Sequence, residues 1–454
     1  MYIQLKTYSK LVFISFVCVL LLGTVFAGDF TPFVGVDSQY DIKRMLVVFF
    51  ICLSSLGLCF VKEVEFIRVS KVTASFLGIF LSLAILSALY SKHPFWGMLE
   101  IANMGLLLCA FLIFTTSIKA LNREKFFLGL YLCALLFSIF TFIKYILFLL
   151  FSYADAQSFD IHGLISGYAN VRFFNQLQVM VIPLLFLPYF CQNLTKFKRF
   201  LFIVLSLHWL VLLQTQARGG MLSLILASSL IAFFLSQHTR QQFISIVLKT
   251  IMAGVVLWLV FIIAIPHWLM ESSNFQLRTT SSGRVDLWLY ILTHIPESLW
   301  LGFGPMSFTW AEAKPLPHAH PHNLIMQILY EYGAISCVAF TAWCVNRLYS
   351  RLDSIQQQTI PGITPIVFAV LSGLICSLFS GVAVMPFAQL ALVFLVAILA
   401  QFDSCHVYKA ALHTRVVLFV SVVLMGSLLF MTYKSDELLS ALFPRIWVNG
   451  LISY

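Results

Sequence analysis

The chain has 454 residues, of which 61% are hydrophobic and 10% charged, with a mean hydropathy of +0.95 and a formal net charge of +10. Soluble domains carry about 25% charged residues, so these values exclude an ordinary water-soluble protein, a disordered chain and a nucleic-acid binder with a solvated basic face. They leave a polytopic membrane protein, in which a positive balance reports orientation before it reports a partner.

A helix crosses the hydrocarbon core with roughly 20 apolar residues. Such runs lie at 11–28, 45–61, 72–90, 99–117, 126–151, 177–191, 199–214, 220–236, 246–265, 323–345, 362–382, 386–401 and 415–432. They predict an all-α polytopic membrane protein with about 12–13 transmembrane helices. The first run follows Lys6 and Lys10, as in a signal peptide, but Val25-Phe26-Ala27 before Gly28 is a poor cleavage site, so an uncleaved first helix is expected. The 177–191 run is short and holds Pro183 and Pro188.

With the N-terminus in the cytoplasm and the runs alternating, cytoplasmic segments hold 17 of the 28 Lys and Arg and the opposite segments hold 10; Lys144 lies inside a run. The bias places the N-terminus inside and the longest loop, about 266–322, outside. The expected location is a bacterial inner membrane, multi-pass, with the long loop and its amphipathic helices on the periplasmic face. The expected organisation is a transmembrane bundle over 1–265, the loop over 266–322, further spans over 323–432 and an outer tail over 433–454. Most of the 10 cysteines sit inside runs without a CxxC motif, and they read as small apolar residues.

Four polar groups stand out on the outer side. The first is Arg172-Phe173-Phe174-Asn175-Gln176-Leu177-Gln178, where interfacial amides can either bind sugar hydroxyls or hold a neighbouring helix. The second is Gln214-Thr215-Gln216-Ala217-Arg218-Gly219-Gly220, a tight turn whose glycines let the backbone approach a ligand. Arg218, held between two spans, is a functional candidate by default.

The third group follows Arg278 in the long loop: Ser281-Ser282-Gly283-Arg284-Val285-Asp286-Leu287-Trp288, the start of an amphipathic helix. A guanidinium there is either a snorkelling interfacial cation or a planar fork for phosphate oxygens. The fourth is His318-Ala319-His320-Pro321-His322-Asn323, at the head of a span that continues to Glu331-Tyr332-Gly333. Three histidines raise the question of a metal. The absence of nearby Cys or Asp, and the prolines, favour instead a general base or a hydrogen-bond donor to phosphate. Glu331 is expected to brace the bundle or an arginine, and Glu100 and Lys144 to be paired inside it. No P-loop motif is present. Two or three arginines and a histidine without a nucleotide motif suit an anionic, lipid-attached leaving group.

The order Arg-Gly-Gly, Ser-Gly-Arg-x-x-x-Trp, Gly302-Phe303-Gly304-Pro305-Met306 and His-Pro-His-Asn-Leu before a span with Glu-x-Gly resembles the bacterial O-antigen ligase/polymerase superfamily. That superfamily includes WaaL-type ligases, Wzy-type polymerases and PglL- and PilO/TfpO-type O-oligosaccharyltransferases. The wording around Arg172-Phe-Phe-Asn-Gln and Gly-Pro-Met…His-Pro-His-Asn looks most like the PilO/TfpO type. The resemblance implies glycan transfer from undecaprenyl diphosphate to an acceptor hydroxyl, a pilin Ser/Thr or a lipid A-core sugar, without a cofactor or metal. It assigns Arg218, Arg284 and His322 as catalytic, and gives His318 and His320 no clear counterpart. Arg172, Asn175, Gln176, Gln178, Arg278, His320 and Asn323 are expected substrate contacts. Membrane lipid is an expected partner and nucleic acid is not; oligomeric state stays open. The competing class is a lipid-linked glycan transporter, which would favour broken helices and mid-membrane charges.

Overall fold

The computed structural model describes residues 3–25, 38–155, 165, 168, 170–270, 283–357, 362–402, 407–433, 435 and 445–448. Arg278 lies outside them.

The helices are α1 (Leu5–Val25), α2 (Gln39–Cys59), α3 (Lys71–Leu89), α4 (Pro94–Lys119), α5 (Arg123–Ala154), α6 (Val171–Leu184), α7 (Lys198–Gln214), α8 (Arg218–Phe234), α9 (Gln237–Trp258), α10 (Arg284–His294), α11 (Leu324–Gln356), α12 (Ile363–Ser377), α13 (Pro386–Ala400) and α14 (Leu412–Met431). Among the described residues, ten helices are long and apolar enough to cross a membrane, and α8, α12 and α13 are shorter apolar helices. Each of the thirteen predicted runs coincides with one of these helices. The protein is an all-α polytopic membrane protein.

Several starts follow from capping chemistry. Ser38, Ser70, Asn122, Asn170 and Asn323 are N-caps whose side-chain oxygens accept backbone N–H bonds from the first turn. Pro183 inside α6 and Pro188 just beyond it break the sixth span: the helix ends at Leu184, and a short turn at Leu187–Phe190 completes the crossing.

One apolar core runs through the bundle, from Tyr8 and Phe16 in α1 to Leu395 in α13 and Trp447 beyond α14. Apolar side chains such as Phe49, Ile79 and Val417 are exposed on its outside, as expected where the neighbour is lipid. At one end a two-stranded antiparallel ribbon forms from Glu65–Ile67 (β1) and Val407–Lys409 (β2), beside the Lys119–Glu65 ion pair at 2.6 Å. Both strands come from segments expected on the cytoplasmic side.

The span predicted at 323–345 is not one straight helix. α11 breaks at Gly333, whose φ of 79° and ψ of 175° are open almost only to glycine. The carbonyls that the break leaves open are taken up by the preceding loop. Phe303 N–H donates to Tyr330 O at 2.8 Å, Gly304 N–H to Glu331 O at 3.0 Å, and Ala334 N–H to Leu299 O at 2.8 Å. Gly302 must approach this break: a Cβ on it would begin 2.6 Å from the Glu331 carbonyl carbon. The loop is therefore hydrogen-bonded into the bundle as part of the helix it precedes.

Candidate functional site

Three helices begin around one cleft, and each carries an arginine in its first turn. In α6, Asn170 caps by accepting from Arg172 N at 2.9 Å, and Arg172, Asn175 and Gln176 then share a face by i, i+3, i+4 spacing. α8 starts at Arg218 after a turn in which Gln216 takes a φ of 48°, and α10 starts at Arg284 after Gly283 with a φ of 67°. Neither Ala217 nor Gly283 supplies a side-chain cap. The first-turn N–H groups therefore add partial positive charge to the arginines, the usual setting for an anion.

α12 packs against both α6 and α8. The segment after it closes the floor of the cleft. Arg284 Nη1 donates to Phe379 O at 2.6 Å and Gln176 Nε2 to Ser380 Oγ at 2.8 Å. A Cβ on Gly219 would begin 2.9 Å from Phe379 Cβ, so the Arg-Gly-Gly turn admits this segment only with glycine. Arg172, Gln176, Gln216, Arg218, Arg284 and Ser380 line an open cleft with a cavity volume of about 230 Å³. Arg172 and Arg284 are half-buried, while Arg218 is exposed; its backbone N–H donates to Gln216 O at 2.8 Å.

The histidine motif lies beside the cleft. The His318 and His322 ring centres are 4.8 Å apart, and those of His320 and His322 are 4.2 Å apart. His322 sits at a φ of 55°, in the left-handed region, and its N–H donates to His320 Nδ1 at 3.3 Å. His320 is buried, with its Nε2 side against Gly381, where a Cβ would begin 2.6 Å from the ring. The chain around the motif is pinned. Trp288 Nε1 donates to Pro321 O at 2.9 Å, Thr309 Oγ1 to Ala319 O at 3.3 Å, and Lys314 Nζ to the carbonyls of Phe308, Thr309 and His318 at 2.9, 2.7 and 2.9 Å.

Electrostatics keeps these rings neutral. Burial, then His320, Arg284, His318 and Arg172, hold His322 well below the ordinary imidazole range. Burial, then Arg445, His318 and Arg284, do the same for His320. His318 is pushed down to about 4 by burial, then by Arg284, Lys314 and Arg172. Arg284 and Arg172 thus act on His322 from the cleft. Among the described residues no group of three His, Cys, Asp or Glu side chains is arranged to hold a metal ion.

Two expected contacts are spent elsewhere. Asn323 Oδ1 accepts from Ile325 N and Met326 N at 3.0 and 3.1 Å, so it caps α11. Gln178 is buried away from the cleft, accepting from Asn175 and donating to His208. Helical spacing places Gln178 beside Asn175, one turn on, but turns it away from Arg172 and Gln176. Glu100 and Glu331 both meet Arg445, at 3.6 and 2.7 Å. Lys144 Nζ donates to Thr24 O at 3.2 Å.

Sequence reasoning missed the Phe379–Gly381 floor, because the apolar run at 362–382 absorbed it into a span; the helix ends at Ser377. It also missed Arg445. In the tail expected over 433–454, Arg445, Ile446, Trp447 and Val448 are buried against the bundle. The signal was a lone cation two residues before a tryptophan, with two unmatched carboxylates in distant spans.

Residues 201–341 match the family model described as O-antigen ligase. Over that part the chain is similar to the O-antigen ligases. In the O-antigen ligase stretch lie Arg218, Arg284 and the three histidines, while Arg172 on α6 and the Phe379–Gly381 floor fall outside it. No curated protein matches the chain. The matched stretch supports an O-antigen-ligase-like glycan transferase, and the spans make it a multi-pass membrane protein.

Proposed function

We propose that this protein transfers an oligosaccharide from undecaprenyl diphosphate to an acceptor hydroxyl at the periplasmic face of a bacterial inner membrane. The carrying observation is the convergence of Arg172, Arg218 and Arg284, at three helix N-termini, on one cleft beside a neutral His322. Guanidinium forks bind the diphosphate and stabilise the charge it gains as it leaves. The acceptor oxygen attacks the anomeric carbon, the bond from that carbon to the phosphate oxygen breaks, and the hydroxyl proton passes to His322. The diphosphate in the cleft offsets the positive field of Arg284 and Arg172, so donor binding raises the proton affinity of His322 at the step that needs it.

A pilin Ser or Thr is the first acceptor we assign, from the resemblance of the Arg172 and His322 segments to pilin-modifying enzymes. A lipid A-core sugar is the second, favoured by the description of the matched domain as O-antigen ligase. The test is purified protein in nanodiscs with undecaprenyl-diphosphate glycan. Undecaprenyl diphosphate is released only when an acceptor is added. Release without acceptor, or movement of the glycan between leaflets without cleavage, overturns the reading. Mass spectrometry of pilin and of lipopolysaccharide from strains with and without the gene decides between the acceptors.

A further inference from the structure

Asn175 and Gln176 line the same cleft as the arginines, and both are buried, at 5% and 2% exposure. The hydrogen bonds of Asn175 fix which end of its amide is already committed. The chain of donors can be read from two backbone carbonyls, which only accept.

The first is His208 O, inside the bundle on α7. Gln178 Nε2 donates to it at 3.3 Å, so the nitrogen end of Gln178 faces His208. The same Nε2 lies 3.1 Å from His208 Nδ1, which must therefore accept. The imidazole proton is then on Nε2, 2.8 Å from Ser138 Oγ, and Ser138 gives its own hydrogen to Ala134 O at 2.7 Å. Gln178 is left with Oε1 facing Asn175, and Asn175 Nδ2 fills it at 3.0 Å. The second carbonyl is Val211 O, which takes the Thr215 hydroxyl hydrogen at 2.8 Å. Thr215 Oγ1 can then only accept from Asn175 Nδ2, at 3.2 Å. Both Asn175 amide hydrogens are accounted for.

What remains is Asn175 Oδ1, buried and without a partner among the described residues. Gln176 ends the same way: Nε2 is held by Ser380, and Oε1 has no partner among the described residues. Buried polar atoms are nearly always satisfied, so a group bearing a hydrogen belongs opposite these oxygens. No guanidinium N–H of the described residues reaches either oxygen, and a diphosphate has no hydrogen to give. The oxygens are therefore left for a hydrogen-bearing group other than the phosphates. They match a hydroxyl or an acetamido N–H.

We infer that Asn175, with Gln176 beside it, forms an acceptor subsite for a hydroxyl or amide N–H on the sugar joined to the donor's diphosphate, and that His208, through Gln178, is a positioning residue that fixes the orientation of Asn175. The inference rests on the reading of the cleft as the diphosphate site. It gives the cleft two sectors, one that reads charge and one that reads the first sugar.

The test uses synthetic undecaprenyl diphosphate glycans in which each hydroxyl or acetamido group of the first sugar is removed or methylated in turn. One analogue is expected to lose at least about tenfold in kcat/KM with the wild-type protein, as sites built around a substrate hydrogen bond do. In Asn175→Ala the natural donor loses activity, and its advantage over that analogue disappears. In His208→Phe, checked for a monodisperse solubilised protein, the advantage also shrinks while the acceptor KM is unchanged. If Asn175→Ala does not fold, Asn175→Ser serves for the same comparison. The inference fails if wild type and variant discriminate the analogues equally, or if the acceptor KM moves and the donor discrimination does not. If wild type discharges no lipid-diphosphate glycan, the reading of the cleft fails first and takes this inference with it.

Discussion

Arg445 meets Glu331 at 2.7 Å, and both side chains are sealed from solvent. Glu100 stands 3.6 Å from the same guanidinium. Arg445 Nη1 also reaches Ala319 O at 3.4 Å, within the histidine motif. The backbone of this tail is tied in as well, since the Arg445 carbonyl accepts from Arg44 at 3.3 Å and Val448 N–H donates to Asp41 at 2.9 Å. Removing the cation leaves two buried carboxylates. Arg445→Ala is therefore expected to lose about 3–5 kcal/mol of stability, the usual cost of breaking a buried pair. The readout is thermal unfolding in detergent; melting at the wild-type temperature would sink the assignment. Arg445→Lys keeps the charge and is expected to fall between.

Arg218 and Arg284 separate binding from architecture. Arg218 is exposed, so Arg218→Ala is expected to fold as wild type and to lose about 100–1,000-fold in donor turnover. Arg284 also holds Phe379 O at 2.6 Å. Arg284→Ala should lose as much turnover and melt lower as well. The comparison needs release of undecaprenyl diphosphate beside a melting curve. Full turnover in either variant would remove that arginine from the site.

The histidines give a pH signature with a definite sign. His322 lies well below the ordinary imidazole range in the free protein, so kcat/KM is expected to stay flat down through pH 6.5 and to fall only in more acid solution. With donor bound the arginine field is offset, and the apparent pKa in kcat should lie above that in kcat/KM. Two coincident profiles would contradict the coupling. Stability follows the same logic. His318 has about 4 when folded against an ordinary 6.5, so the unfolded chain binds more protons between those values. The stability present above pH 6.5 is lost as the pH falls towards 4. Denaturation series at several pH values measure this directly.

Gly333 offers a test of the broken helix. A Cβ there would strike the Trp300 carbonyl, and its φ of 79° disfavours any L side chain. Gly333→Ala is expected to cost roughly 1–3 kcal/mol. It should also raise hydrogen exchange at Phe303 and Gly304, whose amides close the break. Unchanged exchange would mean the loop does not depend on the kink.

The sequence made the spans legible because crossing lipid demands a long apolar run wherever it happens, and thirteen runs became helices. The arginines were legible for the reciprocal reason: a cation beside a span is conspicuous. What stayed hidden depends on three-dimensional juxtaposition. Phe379 contributes a carbonyl, which every residue has, and Gly381 contributes the lack of a side chain. Gln178 and Asn175 look alike in the chain, and only the partners at His208 and Thr215 tell the positioning amide from the one that lines the cleft. The break at Gly333 hid in an apolar run, because hydropathy is blind to φ.

Arg445 also sets an order of events in the making of the protein. The carboxylates at 100 and 331 are synthesised and inserted well before residue 445 leaves the ribosome. At roughly 5–20 residues per second, the gap after Glu331 is on the order of ten seconds. During that interval the nascent bundle carries two acids that its interior has not yet neutralised, so it must hold them protonated, wet or sheltered by the insertion machinery. A ribosome that stalls after α14 would release a chain with every described helix in place and this ion cluster still open. Quality control acting on membrane-embedded charge would recognise such a chain by its missing cation.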